Sequence, residues 1–340
     1  KNKRSYMNLN KKINLDEKIF VAGSRGMAGS AICRMLKDAG YGEKENGGEI
    51  IESNRSELNF LNSKSVSNWF HEHKPTVVVI AAAKVGGILA NAKYPTEFLL
   101  ENLKIQTNII ESSFACGTKR LLFLGSSCIY PKFAKQPIKE DSLLTGQLEP
   151  TNEYYAIAKI AGIKLCQSLK KQYNFDAISL MPTNLYGTND NYDDQNSHVM
   201  AALLKKFYIA KKYNYPSVTC WGTGSPLREF MHVDDLGRAV VFVLENWDPL
   251  DHDAPLDDSG DKLHYLNVGT GIDISIKDLS KKIAKEVNYK GEIIWDHSKP
   301  DGTPKKQLNI NKIKSLGWEP KISLDEGIKR TIQEISKTIY

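Results

Sequence analysis

Tyr155 and Lys159 form a YxxxK motif, the clearest pair of residues in the chain that could do chemistry together. On a helix, the i, i+4 spacing places the phenol and the ammonium on one face. A lysine there lowers the pKa of the tyrosine, and the phenol can give a proton to a ketone oxygen while hydride reaches the carbon. The pair predicts a ketone reductase, although such pairs also occur on ordinary solvated helix faces. Tyr154 has no lysine four residues later.

Two adjacent serines follow the apolar run Leu121–Leu124 and Gly125. Such a run indicates a buried strand, and open parallel sheets bind ligands at the carboxyl ends of their strands. Ser126 could therefore donate a hydrogen bond to the same ketone oxygen as Tyr155. Spacing does not distinguish Ser126 from Ser127, so both are candidates.

A glycine-rich loop, GxxGxxG, lies between a predicted strand and a predicted helix. Small residues let the backbone approach a pyrophosphate and present amide donors to it. The spacing is similar to that of short-chain dehydrogenase/reductases and differs from the GxGxxG of many other dehydrogenases. An ordinary glycine-rich turn is the alternative. The predicted cofactor-binding residues of the loop are Gly23, Ser24, Arg25, Gly26, Met27, Ala28 and Gly29.

Two arginines near this loop predict the choice of cofactor. An acidic group near the end of the second strand favours a ribose hydroxyl, whereas an arginine favours a 2′-phosphate. Arg55 follows that strand and Arg25 lies in the glycine loop, so two guanidinium groups could hold the phosphate. NADPH is therefore favoured over NADH. Glu52 argues the other way, since its carboxylate would suit a ribose hydroxyl.

Short apolar runs alternate with helical stretches through the first half of the chain, as in strand–helix–strand units that wind a parallel sheet. The runs lack strict polar alternation, which fits strands covered by helices on both faces. The predicted strands are Ile19–Ala22, Glu49–Glu52, Val77–Ala81, Leu121–Leu124 and Ala177–Met181. The predicted helices are Ala28–Ala39 and Ser63–His73. The predicted fold class is α/β, with a Rossmann-like, doubly wound parallel sheet.

A smaller α/β lobe that binds substrate is predicted to follow, because the pattern becomes less regular in the second half. Strand-like runs occur at Ser217–Trp221 and Glu292–Trp295, and Phe230–Leu244 has a helical period. Two polar segments, 41–49 and 248–262, are predicted surface loops. The predicted NADP-binding domain comprises residues 13–185 with returns at about 229–247 and 263–272, and the predicted substrate lobe comprises 186–228 and 273–340.

The composition bounds the class of protein. The chain has 340 residues, 41% of them apolar, which is enough for a large core without disulfides. Its five cysteines are scattered and lack metal-ligand spacing, which favours reduced thiols in a cytoplasmic protein. The net charge of +6 is concentrated in residues 1–12, which are predicted to be a disordered tail. No basic aromatic face or long apolar window stands out, so neither nucleic acid nor a membrane is a predicted partner.

Six further motifs follow one another along the chain. They are GSSCIYP at 125–131, EPTNEYYAIAKIAG at 149–162, MPTNLYG at 181–187, REFMHVDD at 228–235, NVGTG at 267–271 and KPDGTPKK at 299–306. Together they resemble the GDP-L-fucose synthase family of extended short-chain dehydrogenase/reductases, from roughly residue 18 to the C-terminus. The resemblance implies conversion of GDP-4-keto-6-deoxy-D-mannose into GDP-L-fucose by a homodimer, through epimerisation at C3 and C5 and reduction at C4. Ser24 and Lys305 depart from the family pattern, in which histidine and arginine are common.

The resemblance also implies roles for single residues. Cys128 and His198 would carry out the epimerisations, since a thiolate can remove an acidic proton beside a ketone and an imidazolium can return one on the opposite face. A buried thiol and a structural histidine are the alternatives. The implied substrate contacts are Lys206, Trp221, Arg228, Asp301 and Lys306. The implied cofactor contacts outside the loop are Arg55, Leu58, Ala82, Lys159, Pro182, Thr183, Asn184, Leu185 and His198.

Two other functions remain open from the sequence. A 4-epimerase or dehydratase with tightly held NAD would keep the YxxxK pair but would not need Cys128 and His198. A non-catalytic dinucleotide sensor, which binds partners through its second lobe, would not need a proton donor such as Tyr155.

Overall fold

The computed structural model describes residues 11–194, 197–299 and 301–338. Residues 1–10, most of the predicted tail, lie outside this range. The tail prediction is wrong for Lys11 and Lys12, because Lys11 pairs with Glu245 at 2.6 Å and Lys12 pairs with Asp251 at 2.8 Å.

Strands and helices alternate along the described ranges. The strands are β1 Lys18–Ala22, β2 Glu49–Glu52, β3 Val77–Ile80, β4 Arg120–Leu124, β5 Ala177–Pro182, β6 Asn184–Tyr186, β7 Ser217–Trp221, β8 Leu227–His232, β9 Tyr265–Val268, β10 Asp273–Ser275, β11 Glu292–Asp296 and β12 Lys305–Lys306. The helices are α1 Met27–Asp38, α2 Ser63–His73, α3 Ile88–Lys93, α4 Pro95–Ala115, α5 Glu153–Tyr173, α6 Val199–Lys212, α7 Val233–Asn246, α8 Ile276–Glu286, α9 Asn311–Ser315 and α10 Leu324–Thr338. The strands and helices predicted for the first half are all present, and their ends differ by no more than one residue.

Parallel strands form the main sheet, in the order β2-β1-β3-β4-β5-β9. The order reverses at β1, because the chain moves outward to β2 and then returns across β1 to β3. Such a reversal is the topological switch point of a doubly wound sheet, and ligands bind there, outside the carboxyl ends of the strands. The predicted fold class is confirmed.

Helices cover both faces of this sheet. Every residue of β3 and β4 is buried, as expected for strands without polar alternation. α1 and α7 pack together on one face, whereas α4 packs against α2 and α5 on the other. The covered strands all end at one edge, where the loops after β1, β4 and β5 can meet.

A second hydrophobic cluster lies in the smaller lobe. Its members include Tyr186, Leu204, Phe207, Leu279 and Ile328. Around it, β8 pairs with β6, β10 and β12, and β7 pairs with β11. Leu308, Ile313 and Trp318, which the predicted boundaries gave to this lobe, belong to the first cluster instead. The predicted boundaries as a whole stay a prediction.

The predicted helical segment Phe230–Leu244 is wrong at its start. Its first three residues complete β8, and α7 begins at Val233, where the His232 ring accepts a hydrogen bond from the Asp234 amide at 3.2 Å. Apolar residues run from strand to helix without a break, so their spacing gave no sign of the junction. α7 then packs on α1.

Candidate active site

The loop between β1 and α1 forms a cradle. Where its backbone comes closest to other backbone atoms, only glycine fits. Gly23 has a φ of +84°, and a Cβ there would lie 2.7 Å from the backbone nitrogen of Ala82. A Cβ at Gly29 would overlap the carbonyl oxygen of Gly23. The start of α1 therefore lies at the switch point with its backbone donors, and the cradle fits a dinucleotide pyrophosphate. Gly26 is the N-cap of α1, and Met27 and Ala28 begin its first turn.

Arg25 and Arg55, the arginines predicted to select the cofactor, are both exposed. Glu52, which argued against NADPH, forms an ion pair with Lys37 of α1 at 2.9 Å. An exposed pair of this kind adds little stability, but it turns the carboxylate toward α1. Ser24 is buried, and its hydroxyl donates to a carbonyl just after β2 at 3.5 Å, which joins the loop to the strand end. The objection from Glu52 is therefore weakened.

Substitution of Arg55 by alanine is expected to raise the Michaelis constant for NADPH by about 10-fold to 100-fold, because one charge-assisted hydrogen bond to the 2′-phosphate is lost. The Michaelis constant for NADH should change little. Initial rates with each nucleotide measure the difference. Lys64→Ala, which removes another exposed cation at the start of α2, is the control and should leave both constants unchanged. Equal effects of Arg55→Ala on NADPH and NADH would contradict the assignment.

The other predicted cofactor contacts lie along the carboxyl edge of the main sheet. Thr183 is buried, and its hydroxyl donates to the Glu229 carbonyl at 3.3 Å. Asn184 donates to the same carbonyl at 2.9 Å, so the strand that ends in Pro182 is tied to the second lobe. Leu58 is 1% exposed, so its side chain supports the site from the core. Leu185 is half-buried in β6.

Ser126 and Tyr155 meet beyond the carboxyl end of β4. Ser126 caps the short 3-10 turn Ser127–Ile129 by accepting a hydrogen bond from the Cys128 amide at 3.2 Å. The Ser126 hydroxyl also lies close enough to the phenol of Tyr155 to oppose the rise of its pKa. Ser127 is buried. The structure therefore places Ser126, and not the buried Ser127, beside Tyr155, a choice that spacing left open.

Burial raises the pKa of Tyr155, and the negative charge of Cys128 adds to this effect, while the hydrogen bond with Ser126 opposes it. The prediction that Lys159 lowers this pKa stays a prediction. Its ammonium lies 5.7 Å from the centre of the Tyr155 ring and donates to the Leu124 carbonyl at 2.9 Å. Burial also lowers the pKa of Lys159 to about 8. A phenol that keeps its proton at neutral pH is the form that a general acid needs.

Two donors point at the sulfur of Cys128. The side-chain amide nitrogen of Asn152 lies 3.3 Å from it, and the ammonium of Lys306 lies 3.4 Å from it. Both groups have N–H donors, so the sulfur is the acceptor in each contact. The sulfur borders a cavity of about 40 Å³ that both donors also line. The charge of Cys128 also contributes to the raised pKa of Tyr155.

His198 immediately precedes α6, which belongs to the second lobe. His198 is exposed. Desolvation by the surrounding protein lowers its pKa, and the positive charge of Lys306 lowers it further. A neutral imidazole is therefore favoured at neutral pH, whereas the sequence-based prediction used an imidazolium. Lys306 acts on both predicted epimerisation residues.

Trp221 presents a stacking surface between two cations. Its side chain is 48% exposed, and the ammonium groups of Lys206 and Lys299 each lie 5.5 Å from the ring centre. A base can stack on an exposed indole while neighbouring ammoniums bind phosphate, so this group suits a nucleotide. Lys206 is also held by a hydrogen bond to the Thr219 carbonyl at 3.1 Å.

Asp301 makes its contacts with the protein itself. Its carboxylate accepts from the Thr223 amide at 2.7 Å and from the Thr223 hydroxyl at 2.8 Å. Arg228 donates to the Leu227 carbonyl at 2.9 Å and to the Asp301 carbonyl at 3.5 Å. Burial lowers the pKa of Arg228, while the charges of Glu149 and Asp301 oppose that shift. Asp301 therefore orders the turn after β7, and its predicted contact with substrate stays a prediction.

Sequence reasoning missed three residues that lie in this cleft: Asn152, Lys299 and Glu149. Glu149 accepts from Thr303 at 3.0 Å, pairs with Lys132 at 3.1 Å, and lines the cavity beside the reactive sulfur. All three lie inside the motifs that carried the family resemblance. Their residue types have no distinctive spacing, so only their contacts identify them.

Among the residues that the structure describes, no group of three or more histidine, cysteine, aspartate or glutamate side chains could hold a metal ion. Within the same ranges, no helix combines the length and the apolar character needed to cross a bilayer.

The glycine cradle, Ser126, Tyr155 and Lys159 all lie at the carboxyl edge of one doubly wound sheet, where a dinucleotide and a ketone could meet. This arrangement defines an NAD(P)-dependent enzyme of the epimerase and dehydratase class. The sequence profile of the NAD dependent epimerase/dehydratase family accordingly matches residues 19–255.

Within this class, the chain belongs to the GDP-L-fucose synthase family. It is 51% identical over 316 residues to a putative GDP-L-fucose synthase 2 from Arabidopsis thaliana. This alignment covers 93% of this chain and 90% of the relative. It is 50% identical over 317 residues to the GDP-L-fucose synthase of Escherichia coli strain K12, which covers 93% and 96% of the two chains. A solved GDP-mannoheptose C4 reductase from Campylobacter jejuni, with NADP bound, is similar with a TM-score of 0.83 and 36% identity over 96% of this chain and 99% of that one.

Proposed function

We propose that this protein is a GDP-L-fucose synthase, which epimerises GDP-4-keto-6-deoxy-D-mannose at C3 and C5 and then reduces C4 with NADPH. The observation that carries the proposal is the position of Cys128, whose amide donates to Ser126 at 3.2 Å and whose sulfur accepts from Asn152 at 3.3 Å and from Lys306 at 3.4 Å. Groups for proton exchange and for reduction can thus act on one ketone. A reductase that leaves C3 and C5 unchanged would need Tyr155 but neither Cys128 nor His198.

The epimerisations depend on the acidity of protons beside the ketone. Ser126 and Tyr155 hydrogen-bond to the C4 oxygen and stabilise the enolate. The Cys128 thiolate takes a proton from carbon, the C–H electron pair moves to the carbonyl oxygen, and His198 gives a proton to the opposite face. The sulfur ends as a thiol and the ring as a neutral imidazole, so one proton must return from sulfur to imidazole through solvent before the next cycle. At neutral pH the lowered pKa of His198 leaves the imidazolium as the minor form, and that form is a stronger acid than an ordinary imidazolium.

The reduction acts on the same oxygen. The glycine cradle would hold NADPH, which would supply the hydride for C4. Tyr155 gives its proton to the oxygen, and its raised pKa keeps that proton in place until the alkoxide forms. Lys159, one turn along α5 and 5.7 Å from the phenol ring, then stabilises the phenolate.

The GDP end of the substrate is proposed to bind in the second lobe. Trp221 would stack on guanine, and Lys206 and Arg228 would bind the pyrophosphate. Lys306, beside the Cys128 sulfur at 3.4 Å, would lie nearest the sugar. The exposed indole with its two neighbouring ammoniums supports this orientation.

The proposal is tested with purified protein, GDP-4-keto-6-deoxy-D-mannose and either NADPH or NADH, with the sugar product separated against GDP-L-fucose. NADPH-dependent formation of GDP-L-fucose is expected. A reduced but unepimerised sugar would instead indicate a C4 reductase. No turnover with NAD retained in the purified protein would indicate an NAD-dependent 4-epimerase or dehydratase, and reversible nucleotide binding without turnover would indicate a sensor.

The active form is proposed to be a homodimer that pairs through α4 and α5. Leu100 of α4 and Tyr154 and Ile157 of α5 are 46%, 42% and 44% exposed, although the two helices pack side by side. A two-fold contact would cover these apolar side chains on both copies. A cytoplasmic location is also proposed, since a reducing compartment keeps the five free cysteines as thiols.

Light scattering is expected to give twice the mass of one chain, and Ile157→Glu is expected to give a monomer, because two buried carboxylates would face each other across the two-fold axis. Leu250→Glu, at a 54% exposed position after α7, is the control and should leave the dimer intact. A wild-type monomer at working concentration would refute the pairing.

A further inference from the structure

Asn152 has an unusual use for a residue at the start of a helix. It is the N-cap of α5, a position where an asparagine side chain ordinarily accepts a hydrogen bond from an amide of the first turn. No such side-chain cap forms here. The amide nitrogen of Asn152 donates instead to the sulfur of Cys128, at 3.3 Å. The Asn152 side chain therefore bonds to the sulfur and does not cap the helix.

The other end of this amide is also informative. The Oδ1 atom of Asn152 is buried, and none of the described residues donates a hydrogen bond to it. A buried carbonyl oxygen without a partner is costly and uncommon. Oδ1 and Nδ2 belong to one planar group, so a half-turn about the Cβ–Cγ bond exchanges their positions. Such a turn breaks only the bond to Cys128.

Cys128 changes its hydrogen-bonding character during the proposed epimerisation. A thiolate only accepts hydrogen bonds, whereas a thiol can also donate one through S–H. Lys306, the other group on this sulfur at 3.4 Å, has an ammonium that only donates. An amide can serve both states, because Nδ2 donates to the thiolate and Oδ1 accepts from the thiol.

We propose that Asn152 is a positioning residue that holds the Cys128 sulfur in both protonation states by turning its side-chain amide. The inference rests on the proposed epimerisation. When the sulfur takes a proton from carbon, an S–H bond forms, the C–H electron pair moves to the ketone oxygen, and Oδ1 accepts the new S–H. Because Asn152 precedes Tyr155 by three residues on α5, the sulfur is also held at a fixed distance from the reductive proton donor.

Asn152→Asp tests the proposal, since aspartate has the same shape and is a good N-cap but can only accept hydrogen bonds. Its carboxylate beside the sulfur should reduce the thiolate fraction at neutral pH about tenfold or more. We therefore expect alkylation of Cys128 by iodoacetamide to require higher pH, and solvent-deuterium incorporation at C3 and C5 to fall by a similar factor. The thermal unfolding temperature should be unchanged or higher. Asn152→Ala should also slow exchange, and it carries the test if the aspartate variant does not fold.

Asn62→Ala is the matched control, because Asn62 caps α2 in the ordinary way, with its side chain accepting from the Ser65 amide at 2.9 Å. It should lower the unfolding temperature and leave exchange relative to reduction unchanged. Cys128→Ser identifies which of the five thiols gives the alkylation signal. Wild-type exchange and a wild-type alkylation profile in Asn152→Asp and Asn152→Ala would overturn the inference. If the wild-type protein forms no GDP-L-fucose, the proposed function fails, while the alkylation profile still decides the role of Asn152.

Discussion

Tyr155→Phe is expected to reduce the rate of C4 reduction by about 100-fold to 10,000-fold, the usual contribution of a positioned general acid. Phenylalanine keeps the ring and its edge contact with Phe98, whose centre lies 6.4 Å away. Only the hydroxyl is lost. Since Ser126 still bonds to the ketone oxygen, proton exchange at C3 and C5 should fall less than reduction does. NADPH oxidation and deuterium incorporation from heavy water measure the two steps separately.

Tyr154→Phe is the matched control, because Tyr154 is the neighbouring tyrosine, is 42% exposed and has no lysine one turn later. It should leave reduction at the wild-type rate. If Tyr155→Phe slowed reduction less than about tenfold, the proton would have to come from another group or from water.

Cys128→Ser is expected to reduce deuterium incorporation at C3 and C5 by about 100-fold or more, since a serine hydroxyl does not ionise at neutral pH and cannot replace the thiolate as base. Serine is nearly as large and can still accept from Asn152 and Lys306, so binding of the GDP-sugar should persist. With NADPH present, the variant should accumulate a reduced, unepimerised sugar. Chromatography with mass analysis distinguishes that product from GDP-L-fucose.

Cys116→Ser is the control for the loss of a thiol. Cys116 is a half-buried free cysteine after α4, and its sulfur lies 3.6 Å from the Ser113 carbonyl. Its substitution should not affect exchange. If Cys128→Ser kept the wild-type exchange rate at both carbons, the base would have to be a different group, and the role proposed for Asn152 would fail with it.

The main sheet could be predicted from the sequence because its signals are local. Four consecutive apolar residues made β3 recognisable, and a strand buried on both faces needs no partner to be identified. The glycine loop was equally clear, since the approach of Gly29 to the Gly23 carbonyl leaves no space for a side chain. Positions with a steric requirement of this kind can be predicted from the residue type.

The remainder of the site depends on contacts between distant segments. Ser126 and Ser127 differ only in which one faces Tyr155, and residue type does not encode that direction. The raised pKa of Tyr155 comes from burial and from Cys128, which lies 27 residues earlier in the chain. Asn152 has no sequence signal for its contact with the sulfur, which joins two segments 24 residues apart. The start of α7 was missed because apolar residues continue through it.

The cations around Trp221 have a kinetic consequence. Lys206 and Lys299 flank the indole, Lys306 contacts the Cys128 sulfur, and Arg228 contacts the Asp301 carbonyl. Several cations in one region of a protein surface attract polyanions before contact. The field is screened over about 8 Å at physiological ionic strength. Added salt should therefore slow the diffusional capture of the nucleotide sugar far more than the proton and hydride transfers that follow.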